Sequence, residues 1–389
     1  MKPSDFAGNA QGHLVQIPEG GWAFVPDPLP RNLMPDPQAL KALSEADRAL
    51  GELAGLAQRL RNPHLLVRPF LRREAVLSSK IEGTHTSVEQ LALFEASGNA
   101  EPDGEDLREV VNYVDTMEYG LERLKELPVC LRLIKELHAR LMDGVRGNRE
   151  RPGEFRSIQN YIGHQERSIL DARFVPPPPA DMGRALEQLE HFLAEPGDLP
   201  PLLHIALVHY QFETIHPFRD GNGRMGRLLI TLLLCAPNHY GQRPLLPSPL
   251  LYLSAYLERN KETYMDALLH VSQKDAWQEW LQFFFRGVAE QSRDVIKRSQ
   301  DLLNLWEEYR QRMQTARASA LLLRMVDELF ARPALSSSTA QRLLNVTPRS
   351  ADLNIQKLEN VGILKEITHR KRNRMWVAQD IMALLREEA

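Results

Sequence analysis

Most of this chain alternates apolar and polar positions with a helical period. Alanines and leucines recur at that spacing from Asp36 to Leu60 and end at Arg61-Asn62-Pro63, which predicts one helix and its stop. A second helix is expected over Phe70 to Ile81, with Gly83 where a C-terminal glycine belongs, and two more over Glu105 to Leu127 and Val129 to Met142. Residues 1–35 hold Pro18, Pro26, Pro28, Pro30 and Pro35 without lasting periodicity, so an extended surface arm is expected. Between Gly144 and Pro179 the pattern becomes short β-branched and aromatic pieces, Phe155 to Ile162 and Ser168-Ile-Leu, around Gly163-His-Gln-Glu. A hairpin is expected there, with an edge open to a partner strand. Helical spacing returns at Ala180 to Leu193, Leu199 to Thr214, Arg224 to Leu234 and Leu250 to Leu269, and from Trp277 to about Ala318 as one or two long helices.

From about Ser319 a compact tail follows. It reads as helix (Ala320 to Ala331), a short helix capped by Ser336 to Thr339, helix (Ser350 to Asn360), then strands at Ile363 to Ile367 and Met375 to Val377. Helix, helix-turn-helix and hairpin wing is a winged-helix order. Between Gln341 and Trp376 eight Arg and Lys stand against three Asp and Glu, a surplus that favours a phosphate backbone as partner, with protein docking as the alternative. The fold class is therefore mainly α.

The 389 residues suit two or three domains. A net charge of −3 excludes a chain that binds nucleic acid by bulk charge. Cys130 and Cys235, far apart in apolar helical patterns, argue against a disulfide framework and predict buried inert thiols. Residues 1–20 lack a signal-peptide pattern and Leu228 to Ala236 is too short to span a membrane, so the expected compartment is the cytoplasm, with no membrane partner.

The densest chemistry lies in His216-Pro-Phe-Arg-Asp-Gly-Asn-Gly-Arg-Met-Gly-Arg227. Gly221-Asn-Gly223-Arg-Met-Gly226 spells a dinucleotide fingerprint, but a helix precedes it and no acid follows near position 246, so that reading fails. Zinc at His204, His209 and His216 fails because the spacings lack helical i, i+4 pairing and no carboxylate is in register. What the loop can hold is phosphate. Gly221 and Gly223 let amides approach an anion, the helix after them points its positive end at the same spot, and Arg224 and Arg227 share one face. Asp220 suits Mg²⁺, and His216, kept out of helical geometry by Pro217, can take a proton. Upstream, Glu82 sits in the last turn of a helix against its negative end, with Ser78 one turn before it. It either wants an arginine from elsewhere or is exposed and screened.

The stretch 216–227 resembles the Fic signature H-x-F-x-[DE]-G-N-G-R-x-x-R at every specified place: His216, Phe218, Asp220, Gly221, Asn222, Gly223, Arg224 and Arg227. Ser78-Ser-Lys-Ile-Glu82-Gly83 is similar to the family's inhibitory motif [ST]-x-x-x-E-[GN], and the hairpin resembles its flap, so the likeness covers about residues 30–290. It implies a Fic-type helical core with a β-hairpin flap and a C-terminal winged helix-turn-helix domain. The divisions would be an N-terminal arm and inhibitory helix (1–105), a catalytic core (106–290), a linker helix (291–318) and the winged helix (319–389).

The activity implied is transfer of AMP from ATP to a Ser, Thr or Tyr hydroxyl of a protein, or of the chain itself. His216 would be the base, Asp220 the Mg²⁺ ligand, and Phe218 the loop's anchor. Gly221, Asn222, Gly223, Arg224, Gly226 and Arg227 would surround the phosphates, and glycine at 223 favours AMP transfer over the kinase-like branch, which has lysine. Tyr256 and Asn260 would contact adenine, with core packing an equal reading of Tyr256. Glu82, with Ser78 and Gly83, would hold Arg227 and inhibit. Protein substrates would dock on the flap near Ile158 to Ile162; DNA and a second copy of the chain are the other partners considered. Two rival functions share these residues: a nucleotide-sensing DNA-binding regulator, and removal of AMP with Glu82 activating water.

Overall fold

The computed structural model describes residues 1–8, 10–60, 62–99, 101–145, 151–163, 168–315, 320–368 and 373–386. The chain opens not as a bare arm but with a hairpin, β1 (Gly12–Gln16) and β2 (Trp22–Pro26), antiparallel in the register Gly12↔Pro26. Tertiary contact overrode the local pattern: Phe24 N donates to Val175 O, and Ala23 packs with Ile17, Ala172 and Val175 in a small apolar cluster.

Helix α1 (Pro37–Arg59) starts where Asp36 caps the Ala39 amide at 2.7 Å. Helix α2 (His64–Ile81) begins six residues before the expected Phe70 and runs through Pro69. The backbone bond lost at that proline is offset by burial of most of the helix against its neighbours. Helix α3 (Val88–Ser97) is absent from the sequence reading, although the reciprocal Ser87 and Gln90 capping box marks its start. Helices α4 (Glu105–Arg123), α5 (Leu131–Leu141) and α6 (Pro179–Ala194) follow.

No strand forms among the described residues between α5 and α6. The expected flap hairpin is reduced to one antiparallel bridge, Ile162 with Phe174, and a 3₁₀ turn at Ile169–Asp171. Its first arm spends its hydrogen bonds elsewhere: Arg156 N donates to Pro217 O, and Gln159 Nε2 to Pro176 O. The expected turn at His164 to Glu166 lies outside the described residues.

Helices α7 (Pro201–Ile215) and α8 (Asn222–Cys235) are apolar nearly all round and form the buried spine. The predicted helix over Leu250 to Leu269 is two, α9 (Ser254–Arg259) and α10 (Lys261–Lys274), broken at Asn260. Then α11 (Trp277–Thr315) runs unbroken beside α1, its expected last residues 316–318 lying outside the described set.

The tail is α12 (Ala320–Ala331), β3 (Ala334–Ser336), α13 (Ser337–Leu344), α14 (Pro348–Asn360), β4 (Lys365–Glu366), β5 (Met375–Val377) and α15 (Gln379–Leu385). Its sheet has the antiparallel order β3-β5-β4, and β3 and α15 are additions to the expected elements. The tip of the expected wing, 369–372, lies outside the described residues. One continuous apolar core runs from Ala39 through Phe218 and Trp280 to Leu385, so the tail packs directly on α2, α3 and α11. Cys130 directly precedes α5 and Cys235 closes α8; both are free and half-buried, and burial pushes the Cys235 thiol up to about 12. Among the described residues no helix is long and apolar enough to cross a membrane.

Candidate functional site

Helix α7 stops at His216 because Pro217 follows, and His216 takes the left-handed conformation, φ 49° and ψ 61°. A non-glycine residue there costs roughly 1–2 kcal/mol, and the chain end it leaves carries unpaired carbonyls. Buried Arg156 supplies the donors. Its Nε donates to His216 O at 2.9 Å, and its Nη2 to Pro177 O at 2.6 Å and Ile215 O at 3.3 Å. Asn160 Nδ2 donates to Phe218 O at 3.0 Å. Burial pulls the Arg156 guanidinium down to about 10.

Inside the loop Asn222 closes a ring on Phe218: its Oδ1 accepts from Phe218 N at 2.9 Å and its Nδ2 donates to Phe218 O at 2.8 Å. Its side chain therefore shapes the loop, and its backbone amide is what it offers an anion. Phe218, fully buried, stacks on His138 at 3.6 Å between ring centres. His138 Nδ1 accepts from Gly153 N at 2.9 Å, which places its proton on Nε2, donating to Asp220 O at 3.0 Å. Burial lowers its pKa to about 4, so it stays neutral in this role.

Gly221, φ 76°, turns the chain into α8, which begins at Asn222 rather than Arg224. The first-turn amides of α8 have no helical acceptor and form one wall of a cleft shared by Glu82, Glu213, His216 and Arg227. At Gly223 a Cβ would overlap the Glu82 carboxylate, and at Gly226 it would overlap that of Glu213. Both glycines are there for close approach.

His216 Nδ1 donates to Glu213 O at 3.3 Å, leaving Nε2 as the basic nitrogen. Burial lowers its pKa to about 4, with the Arg156 charge adding to the effect. The Asp220 carboxylate is half exposed and accepts from Gly221 N at 2.6 Å. Among the described residues no group of three or more His, Cys, Asp and Glu could hold a metal ion. A lone carboxylate is nonetheless what Mg²⁺ uses when substrate phosphates and water complete its shell. His204 and His209 are engaged structurally, with Phe192 O and Tyr240, and with Gly226 O and Tyr264, which accounts for them without zinc.

Arg224 does not line the cleft. Its Nη1 pairs with buried Glu109 at 3.1 Å, and Glu109 also accepts from Thr84 Oγ1 at 2.7 Å. Arg227, 3% exposed, donates from Nε to Ser78 Oγ at 2.8 Å, and from Nη2 to Ser78 O at 2.9 Å and Glu82 Oε1 at 2.6 Å. Burial disfavours both charges, yet each offsets the loss in the other: Arg227 ends with its pKa raised and Glu82 with its pKa lowered. Glu74, one turn before Ser78 on α2, is buried and pushed up to about 7, holding Tyr113 and Ser254.

Tyr256 and Asn260 are not brought to the cleft. Tyr256 packs on Phe283 and Gly287, and Asn260 Nδ2 donates to Tyr256 O at 2.8 Å. The apolar wall comes instead from Tyr161, Ile162 and Phe174 facing Met265, Leu268 and Leu269. Arg156, His138 and Glu213 were missed in the sequence, since a partner that is a distant carbonyl or a buried face leaves no local signal. The one hint was an arginine amid the β-branched and aromatic residues that follow Phe155.

Comparison with known proteins agrees with this geometry. Residues 40–122 match the profile described as Fic/DOC family N-terminal, and residues 128–234 that of the Fic/DOC family. Proteins named protein adenylyltransferase Fic from Drosophila grimshawi and Drosophila virilis are each 38% identical over 116 residues, 28% of this chain and 21% of theirs. The chain thus spans about a fifth of the length of these relatives. A crystal structure of a Fic family protein from Desulfovibrio desulfuricans superposes with a TM-score of 0.58 at 19% identity, covering 89% of this chain and 97% of that one. A Fic-domain-containing signaling protein from Bacteroides thetaiotaomicron gives 0.50 at 21%, covering 65% and 96%. These two likenesses speak to the fold, and the profile matches bracket both α2 and the loop after α7. Residues 40–122 and 128–234 thus match the two domains of the Fic/DOC family, just under half of the chain.

Proposed function

We propose that the chain transfers AMP from ATP to a hydroxyl side chain of a protein, releasing pyrophosphate, and rests with Glu82 occupying the arginine that the nucleotide needs. One observation carries this reading: His216, with Nε2 left basic, shares a cleft with the free amides of α8, and Arg227 in that cleft is already held by Glu82. The naming of the relatives as adenylyltransferases supports the reaction class.

In this scheme the triphosphate lies against Gly221 and the amides of Asn222 and Gly223, where the helix dipole favours negative charge. Arg227 holds the terminal phosphate after Glu82 leaves. Asp220 would hold Mg²⁺, which when bound neutralises phosphate charge. The incoming hydroxyl gives its proton to His216 Nε2, its oxygen bonds to the α-phosphorus, and the bond to the bridging oxygen of the β-phosphate breaks. The Asp220 backbone is kept in place by neutral His138, and Arg156 fixes the direction of His216. The target protein docks along Ile158 to Ile162, where Ile158 is 47% exposed.

The test is incubation with ATP labelled on the α-phosphate. Glu82→Gly labels itself or a protein extract faster than wild type, and His216→Ala in the same background does not label. Equal labelling by wild type and Glu82→Gly removes the inhibitory role, and labelling by the His216 variant removes the base.

A second assignment concerns the tail. Helix, strand, two helices and two antiparallel strands is the winged-helix order, which supports reading residues 319–389 as that domain. Its α14 exposes Arg349, Gln356 and Lys357 but also Asp352. A gel shift with duplex DNA across a salt series tests whether it contacts a phosphate backbone.

A further inference from the structure

Glu213 is a cleft residue to which the scheme above gives no role. It stands on α7 one turn before His216, lines the cleft beside Glu82 and Arg227, and has a buried Oε1 without any hydrogen-bond partner. A buried carboxyl oxygen left unpaired is costly unless something is to meet it. Its place is also reserved, since a Cβ on Gly226 would overlap Oε1. The titratable and charged groups around it are Arg227 of α8, Glu82 of α2, Tyr264 of α10 and, on α7 itself, His209 and His216. Both histidines are kept neutral by burial, and Tyr264 is uncharged, so Arg227 and Glu82 are the charges that act on it beside burial. Burial pushes the Glu213 carboxyl up to about 7, with Arg227 opposing the rise and Glu82 adding to it.

If Glu82 is replaced at Arg227 by a terminal phosphate, Glu213 faces a group of higher negative charge than the one that left. An ionised carboxylate there would repel the ligand, whereas a protonated one can donate to it. We propose that Glu213 is a proton-carrying phosphate contact: as ATP enters and Glu82 withdraws, its carboxyl takes a proton from solvent and donates a hydrogen bond to the phosphate held by Arg227. This rests on the nucleotide reading of the cleft but not on the transfer step. No covalent bond changes, and the proton returns to solvent when the phosphate leaves. Glu213 thereby makes ATP binding tighter on the acid side of neutrality.

The experiment is calorimetry of ATP binding in excess Mg²⁺ between pH 7.5 and 8.5, where phosphate stays fully ionised, in buffers of different ionisation enthalpy. The proteins are Glu82→Gly and Glu82→Gly/Glu213→Gln. The first takes up about one proton per ATP at most, and its Kd rises up to about tenfold per pH unit. The second binds ATP with no uptake and a flat Kd. A Glu82→Gly/Gly226→Ala protein keeps the carboxyl but displaces it from its seat, and is expected to lose the uptake as well. Equal uptake and equal slope in the Glu213→Gln protein overturn the proposal while leaving nucleotide binding intact. Absence of ATP binding by Glu82→Gly overturns both.

Discussion

Two stretches meet at Arg227, and they are held in opposite ways. The loop 216–222 is tied from every side: Arg156 takes its helix-end carbonyls, Asn222 closes it on Phe218, and His138 holds Asp220 O. The end of α2 is tied lightly where it matters. The Glu82 side chain is 36% exposed, sits at the negative end of its helix, and precedes Gly83, φ 96°, with open space around it. In the proposed scheme the base and anion wall are thus preorganised, while Glu82, the proposed guard of Arg227, is held by a single ion pair on a half-exposed side chain. A group that must leave is expected at the low-stability end of a structure.

The sharpest way to break this contrast is His216→Ala, expected to lower transfer about 10²- to 10⁴-fold with ATP binding retained, measured in the Glu82→Gly background. Next is Arg156→Ala, which strips a charged donor from buried carbonyls and should lower unfolding stability by about 3 kcal/mol, read by denaturant titration. Arg156→Lys should recover only part, because one ammonium cannot reproduce the planar fork. Glu82→Gln keeps the shape and removes the charge; transfer should rise about tenfold, a shift of about 1.4 kcal/mol. If Arg156→Ala proves harmless and Glu82→Gln inactive, the assignment of rigid loop and removable guard is inverted.

The pH profile separates the regions more gently. In the proposed role His216 must be neutral, and its pKa is lowered to about 4 by burial, so kcat should stay level as pH falls through 6.5 and drop only near 4. The same shift is a stability statement. With folded values below the ordinary 6.5, His138, His204, His209 and His216 contribute stability that is whole above about 6.5 and lost as pH falls toward 4, and for His209 toward 3. Acid unfolding midpoints of His138→Asn and wild type measure one share of it. The smallest effect is expected from Tyr256→Phe, whose ring packs away from the cleft: KM for ATP should change less than about twofold.

Much of the loop was legible because its chemistry is local. A glycine that must let an amide approach, a histidine before proline and an acid a few residues on can be read without knowing what surrounds them. The long helices α1, α7 and α11 were legible for a similar reason, through periodicity alone. The flap was misread because β-branched and aromatic residues signal a strand only where a partner backbone is free, and here Arg156 and Gln159 turn toward the end of α7 and the proline run. Tyr256 and Asn260 stand away from the cleft because the ring packs on Phe283 and the Asn260 amide turns back to Tyr256 O, contacts no local pattern announces.

The sequence by itself put a histidine, a carboxylate, close glycines and arginines within twelve residues, and neighbours that near stay close whatever the rest of the chain does. The resemblance added Glu82 as a partner for Arg227, 145 residues away. Only the tertiary structure decided which surfaces those groups face: that Arg224 turns inward to Glu109, that Arg156 pays for the strained end at His216, and that Glu213 is buried beside Arg227 with an oxygen unpaired. Burial and long-range hydrogen bonding set those outcomes, and neither is a property of neighbouring residues in the chain.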